Sequence, residues 1–329
     1  MTRDAHPAWF SAPGKLLLFG EHAAVYGYPA LGTELTQQLH IRVRERAGTD
    51  PTATDELCFL LPDGRREFMP EFARHLQARL AERGVERYPA EIELASELPV
   101  SSGFGSSAAV CTAVARWALP GATTPAIWQL AHELEQAFHG TPSGIDTGIA
   151  SWGGTCAFHF RKAGTLPEVT QLPGALPYLV FGSIPRERST AELVAGVRAL
   201  RERDPELVTP LLDRLGELAQ ATIRALSAAS PGAEPLGEAA TEAQRLLQQL
   251  GVSSPALEEL LARGRAAGAS GGKLSGAGGG GAFFLVAKDA GSATALSAAL
   301  EPLLPGSARL MIRSPGGAET TPTQTWKRR

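Results

Sequence analysis

Along Gln37–Arg44 apolar and polar positions alternate, with Leu39, Ile41 and Val43 on one side, which predicts a half-buried strand. Lys15–Phe19, Leu57–Leu61, Ile92–Leu94 and Thr155–Phe160 are short apolar runs that also predict strands. In Phe68–Arg83 the apolar residues Phe72, Leu76 and Leu80 recur at helical spacing. Ser106–Leu119 reads as a mostly buried helix stopped by Pro120, and Pro125–Phe138 as a second, capped by Thr123 or Thr124 and ended by Gly140. Tyr178–Phe181 predicts a strand, after which Ala191–Leu250 is helical almost throughout, divided at Pro210, Pro231 and Pro235. Then come a helix at Pro255–Ala267, a strand at Ala282–Val286, a helix at Ser292–Leu304 and a strand at Arg309–Ile312. The shift in pattern near residues 165–177 marks a domain boundary, and no internal repeat is present.

The 329 residues suit two domains or one large one, and 43% hydrophobic with 20% charged residues is an ordinary globular balance. A net charge of −3 gives no bulk reason to expect nucleic acid or an anionic membrane as partner. The three cysteines, Cys58, Cys111 and Cys156, lack metal-ligand spacing and read as buried free thiols of a reducing cytosol. Met1–Gly14 has no apolar core of a secretory signal. The uncharged stretch Leu98–Ala115 contains four serines and two glycines, so no membrane span is expected and the cytoplasm is the expected compartment.

Glycine changes this ordinary picture. Its 36 copies are about 11% of the chain against roughly 7% on average, and they cluster near Gly103/Gly105, Gly153/Gly154 and Gly276–Gly281. Backbone N–H groups can converge on a phosphate only where no Cβ intervenes, and a helix N-terminus adds partial positive charge. Pro99–Ala109 has that form: strand, Gly/Ser loop, then helix, with hydroxyls that could ligate Mg²⁺. A Walker A loop is excluded, because Gly14-Lys15 and Gly272-Lys273 are both followed by leucine. The dinucleotide pattern matches at Gly103–Ala108 and Gly276–Gly281. The first match has no acid before Glu133, and the second runs into a strand. A tight turn and a linker are the bland alternatives for the two segments, but strand residues directly follow the second.

Three segments in this order resemble the motifs of the GHMP kinases: Pro13–Gly27 the first, Gly103–Ala109 the second and Lys273–Gly281 the third. Within that family the similarity is greatest to the branch acting on mevalonate, through Gly20-Glu21-His22-Ala23-Ala24-Val25-Tyr26-Gly27 and His139–Asp146 followed by Ser151–Gly154. Arg188-Ser189-Thr190 resembles the substrate-side segment, with a departure: Pro185-Arg186-Glu187-Arg188 displaces the proline that the family places just before its arginine. The resemblance implies an α+β GHMP kinase fold. A ribosomal-protein-S5-like domain would span 1–172 and a ferredoxin-like domain with extra helices 173–314, with a tail, 315–329, that packs on the first domain or frays.

The implied activity is ATP-dependent phosphorylation of the primary hydroxyl of mevalonate. Alternatives are a phosphomevalonate, homoserine or sugar kinase, or a non-catalytic nucleotide sensor. By resemblance Asp146 is the proton acceptor and Lys15 stabilises its charge and the developing alkoxide. Glu21, His22, Thr190 and Arg188 are substrate-side residues. Pro99, Ser101, Ser102, Gly103, Phe104, Gly105, Ser106, Ser107, Ala108 and Gly278 contact ATP, and Ser107 and Glu135 hold Mg²⁺. Taken singly, Asp146 could be a turn cap, Glu135 a solvated helix face and His139 a packing or capping group, whereas a lysine beside a buried strand needs a partner. The implied partners are ATP and mevalonate, with neither nucleic acid nor membrane, in a monomer or homodimer.

Overall fold

A computed structural model describes residues 9–45, 58–60, 65–85, 90–99, 102–162, 165–304, 308 and 310–315. The first half contains β1 (Trp9–Phe19), β2 (Ala30–Glu45), β3 (Cys58–Leu60), β4 (Arg66–Phe68), α1 (Pro70–Ala81) and β5 (Ala90–Ser96). Helices α2 (Ser106–Ala118), α3 (Thr124–His139) and α4 (Ile145–Trp152) follow, then β6 (Thr155–His159), β7 (Glu168–Gln171) and β8 (Tyr178–Ile184). Next are α5 (Thr190–Arg203), α6 (Pro205–Ala228), α7 (Ala233–Gln249), α8 (Pro255–Ala266), β9 (Gly271–Leu274), β10 (Gly281–Ala287), α9 (Ala290–Leu300) and β11 (Met311–Arg313).

The chain forms two compact units that interleave in sequence. One comprises residues 1–15 and 37–153, the other 16–36 and 154–329, so β1 and β2 are each divided between them. The second unit starts at Gly154 and also takes in residues 16–36.

In the first unit, β5 pairs antiparallel with the Leu39–Glu45 part of β2 and parallel with β3, which carries β4 at its edge. Helix α2 is buried nearly all round, from Ala108 to Ala115 apart from Val110, and packs against α3 and α4. Small residues allow that close approach: the buried stretch is mostly alanine, with Cys111, Thr112 and Val114 its larger side chains, so neighbouring helices sit near its axis. Phe72 of α1 meets Phe59 of β3 and Phe138 of α3, with ring centroids 5.9 and 5.5 Å apart.

In the second unit, β6 pairs with Ala30–Thr33 of β2 and with β7. A separate four-stranded sheet has the order β11-β8-β10-β9. All seven residues of β10 are buried, as expected of a central strand covered on both faces; each buried Phe or Leu there contributes about 1.5–3 kcal/mol. α6 presents Val208, Leu211, Leu212, Leu215, Leu218 and Leu226 to the core, and α7 packs on both α6 and β9.

Several expectations are corrected. Phe68 ends β4, half-exposed, rather than opening a helix, because Pro70 supplies the favoured first-turn residue of α1. Pro210 lies inside α6 instead of dividing it: the buried leucine face outweighs one lost backbone bond, and the break falls at Asp204, which caps α6. Thr123 is the N-cap residue of α3 but makes no side-chain cap bond. α4, β7 and β9 were not anticipated, being short segments of four to eight residues, two of them glycine-containing. Cys111 and Cys156 are buried, and burial pushes the thiol pKa of Cys156 up to about 12. The side chain of Cys58, and the tail from 316 on, lie outside the described residues. Among the described residues no helix is long and apolar enough to cross a membrane.

Candidate active site

The first unit assembles its chemistry around Lys15. The Lys15 N–H donates to the carbonyl of Phe104 at 2.9 Å, which ties β1 to the loop before α2. Gly105, the residue that opens α2, has φ +76°, and a Cβ there would stand 2.7 Å from Cγ of Lys15. Only glycine therefore lets the lysine stem lie across the loop. The Lys15 side chain is nearly buried, and its Nζ reaches Oδ2 of Asp146 at 2.9 Å.

Asp146 sits in the first turn of α4, where a carboxylate complements the helix dipole, and not in an irregular turn. The α4 start is held by Trp128 of α3, whose Nε1–H donates to Gly144 O at 3.0 Å. Glu135, also on α3, is 2% exposed rather than on a solvated face. Burial pushes its pKa up to about 8, with the Asp146 charge adding to the rise and Lys15 and a hydrogen bond from Thr147 opposing it. Ser107, in the first turn of α2, shares a 3.0 Å hydrogen bond with Nε2 of His139 at the end of α3.

The first N–H groups of α2 have no intrahelical acceptors, and no acid lies in its first turn, which leaves that end suited to an anion. The Ser102 hydroxyl is spent on closing the loop, donating to Pro99 O at 2.6 Å, and Phe104 is buried. Ser101 lies outside the described residues. Mg²⁺ needs only one or two protein oxygens beside phosphate and water. The Glu135 carboxylate, whose negative charge its surroundings disfavour, and the Ser107 hydroxyl are hard oxygen donors that suit such an ion.

The second unit holds the residues that the resemblance sets on the substrate side. Glu21 is buried, and its Oε1 accepts from Nζ of Lys273 on β9 at 2.5 Å. His22 has φ +60°, the sole non-glycine residue with positive φ among the described residues, a strained conformation common at functional sites. Its ring is neutral at physiological pH: burial, reinforced by the Lys273 charge, lowers the pKa against the raising effect of the Ala277 contact. Because a carbonyl only accepts, Nε2 carries the proton and donates to Ala277 O at 2.9 Å.

Thr190 opens α5, whose start is fixed by a reciprocal Ser189–Glu192 capping box. Its Oγ1 accepts from Arg186 at 3.1 Å, whereas Arg188 donates to Gly251 O at 2.7 Å. In the Gly276–Gly281 run the bare backbone meets other backbone. A Cβ on Gly278 would stand 2.0 Å from Val252 O, and one on Gly280, at φ +98°, 2.2 Å from Pro185 O. The run folds against residues 185–188 and 252 of its own unit.

Sequence reasoning gave Lys273 no role. A signal was available: it is the only charged residue between Arg265 and Lys288, as Glu21 is the only formal charge between Lys15 and Glu34. Two isolated opposite charges in apolar surroundings require each other.

Comparison with known proteins places these features. Residues 69–154 match the GHMP kinases N terminal domain and residues 222–303 the GHMP kinases C terminal model. The mevalonate kinase of Archaeoglobus fulgidus is 36% identical over 285 residues, covering 83% of this chain and 90% of that protein. The mevalonate kinase of Pyrococcus abyssi is 33% identical over 299 residues, covering 84% and 88%. The crystal structure of L. major mevalonate kinase in complex with R-mevalonate superposes with a TM-score of 0.75, covering 95% of this chain and 98% of that one at 23% identity. The fold is that of the GHMP kinases, mixed α+β. With two domain models and relatives above 30% identity spanning most of its length, the chain belongs to the GHMP kinase family.

Proposed function

We propose that this chain transfers the γ-phosphoryl group of ATP to the primary hydroxyl of mevalonate. The observation that carries the reading is the Lys15–Asp146 pair, at 2.9 Å, whose lysine is tied to the loop that opens α2. The mevalonate kinases at 33–36% identity supply the substrate.

Phosphoryl transfer asks the protein for positioning, charge neutralisation and a place for the hydroxyl proton. Asp146 accepts that proton as the hydroxyl oxygen attacks the γ-phosphorus and the bond to the bridging oxygen of ADP breaks. Lys15 lies against the carboxylate and stabilises negative charge developing on the attacking oxygen. The Gly103–Gly105 loop and the N–H groups at the start of α2 hold the phosphates. Mg²⁺, when bound with ATP through Ser107 and Glu135, neutralises phosphate charge. Glu21, His22 and Thr190 hold the acceptor through its hydroxyl groups, and the guanidinium groups of Arg186 and Arg188 supply charge for its carboxylate. Gly278 is assigned to the ATP side only by resemblance. The cytoplasm is the compartment this reading implies.

The test is ADP release by the purified chain with ATP, Mg²⁺ and a panel of mevalonate, phosphomevalonate, homoserine and galactose. Mevalonate should give the highest kcat/KM. A preference for another panel member moves the chain to a sibling kinase, and no ADP release with any of them favours a nucleotide sensor.

A further inference from the structure

Lys273 is completely buried on β9, opposite Phe284 of β10 in register. Its ammonium lies 5.7 Å from the ring centroid of Phe19 and 5.6 Å from that of Phe284. It donates to Glu21 Oε1 at 2.5 Å and to the carbonyl of Leu274 at 2.6 Å. Burial lowers its pKa, while Glu21 works in the opposite direction.

A buried ion pair rarely stabilises a fold more than two well-packed apolar side chains would, because both charges lose their hydration. This pair has two phenylalanine rings, Phe19 and Phe284, flanking its ammonium. It is also incomplete: Oε2 of Glu21 is buried and has no hydrogen-bond partner among the described residues. A carboxylate oxygen only accepts, so the missing partner is a donor, and leaving it unpaired is costly in so dry a place.

The same strand exit holds the Glu21 turn at two more points. Ser275 Oγ accepts from the N–H of Leu17 at 3.0 Å, and Ala277 O accepts from His22. Residues 273, 275 and 277, alternating along the chain, thus each hold one residue of the segment 17–22.

We propose that Lys273 is a positioning residue for the acceptor substrate: it fixes Glu21 through Oε1 and reserves Oε2 to accept a hydrogen bond from a hydroxyl of that substrate. This deepens the reading of the chain as a kinase of a hydroxylated acid and rests on it. Lys273 is assigned no contact with the reacting atoms.

The experiment measures KM for mevalonate, KM for ATP and kcat in the wild-type chain, Lys273→Met and the double variant Lys273→Met/Glu21→Gln. The double variant removes both buried charges and so guards against a single variant that fails to fold. Both variants should raise the mevalonate KM by about tenfold or more, the loss of one hydrogen bond to a charged group, with the ATP KM within about twofold. The double variant should be no worse than the single one, because the two residues act as one unit. A folded double variant with wild-type mevalonate KM overturns the proposal while leaving the kinase reading intact, and so does an equal rise in both KM values. A wild-type chain that does not turn over mevalonate overturns the substrate reading itself.

Discussion

The two units each carry a lysine–carboxylate pair, and the two differ almost entirely in burial. In the first, Lys15 meets Asp146 at 2.9 Å with the carboxylate side chain 36% exposed. In the second, Lys273 meets Glu21 at 2.5 Å with both side chains at 1% or less. The chemistry of the groups is the same. An open carboxylate can take a proton from a hydroxyl and release it to water, so the first pair can turn over. A carboxylate buried against a lysine is held in one place, so the second pair suits positioning rather than turnover, with one oxygen left over to accept a hydrogen bond. Exposure, more than pairing, separates a group that reacts from one that positions.

The sharpest way to break that contrast is to remove Asp146, the proposed proton acceptor. Asp146→Asn should lower kcat about 10²–10⁴-fold, and Lys15→Met about 10²–10³-fold, with mevalonate KM changed far less. Steady-state kinetics on variants with wild-type circular dichroism would decide it. If these variants instead altered KM alone, the two pairs would be doing the same job.

A smaller effect should follow from crowding the lysine stem. Gly105→Ala forces a side chain into left-handed backbone at φ +76° and places Cβ 2.7 Å from Lys15 Cγ. It should lower kcat roughly tenfold and stability by about 1–2 kcal/mol, read by chemical denaturation.

The third concerns Glu135. Folding raises its pKa from 4.5 to about 8, so between those values the folded chain holds a proton that the unfolded chain has released. Stability contributed by this group therefore falls as pH rises from about 4.5 to about 8. Glu135→Gln should flatten that slope in a Tm-against-pH series measured without nucleotide. The smallest effect belongs to His22, whose pKa is lowered by burial, against the raising effect of the Ala277 contact. Below pH about 6.5 the unfolded chain takes a proton that the folded histidine refuses, so stability declines with acid. His22→Asn, which tolerates the left-handed backbone, should lessen that decline.

Much of this was legible in the chain. The apolar runs of β2 and β10, the helical spacing of α1, α3 and α8, and the Gly/Ser loop before α2 all announced themselves through patterns a few residues long. Lys15, Glu135 and Asp146 could be named from the family's motifs. Their convergence could not, because the contacts of residue 15 with residues 104, 105 and 146 span about a hundred residues of chain. α4 hid behind Gly144 and its eight-residue length. β9 was concealed by composition: Gly-Gly-Lys-Leu has almost no strand propensity, and it is a strand because β10 lies alongside and Gly271 and Gly272 fit where a Cβ would strike backbone within 2.4 Å. Resemblance assigns Gly278 to the ATP side, and within its own unit the run's tightest approaches are to the carbonyls of Val252 and Pro185.

The contact between Glu21 and Lys273 also sets a timetable. The two residues are separated by 252 positions, so the segment 16–36 leaves the ribosome long before the strand that completes its surroundings exists. At about 5–20 residues per second that interval is on the order of tens of seconds, during which Leu16, Leu17, Leu18 and Phe19 have none of their partners from the end of the chain. Contacts of such long sequence separation slow folding and leave apolar surface open to aggregation in the meantime. The biosynthesis of this protein thus has a built-in waiting period, and its yield in a cell should respond to chaperones that shield the first few dozen residues until the last strands arrive.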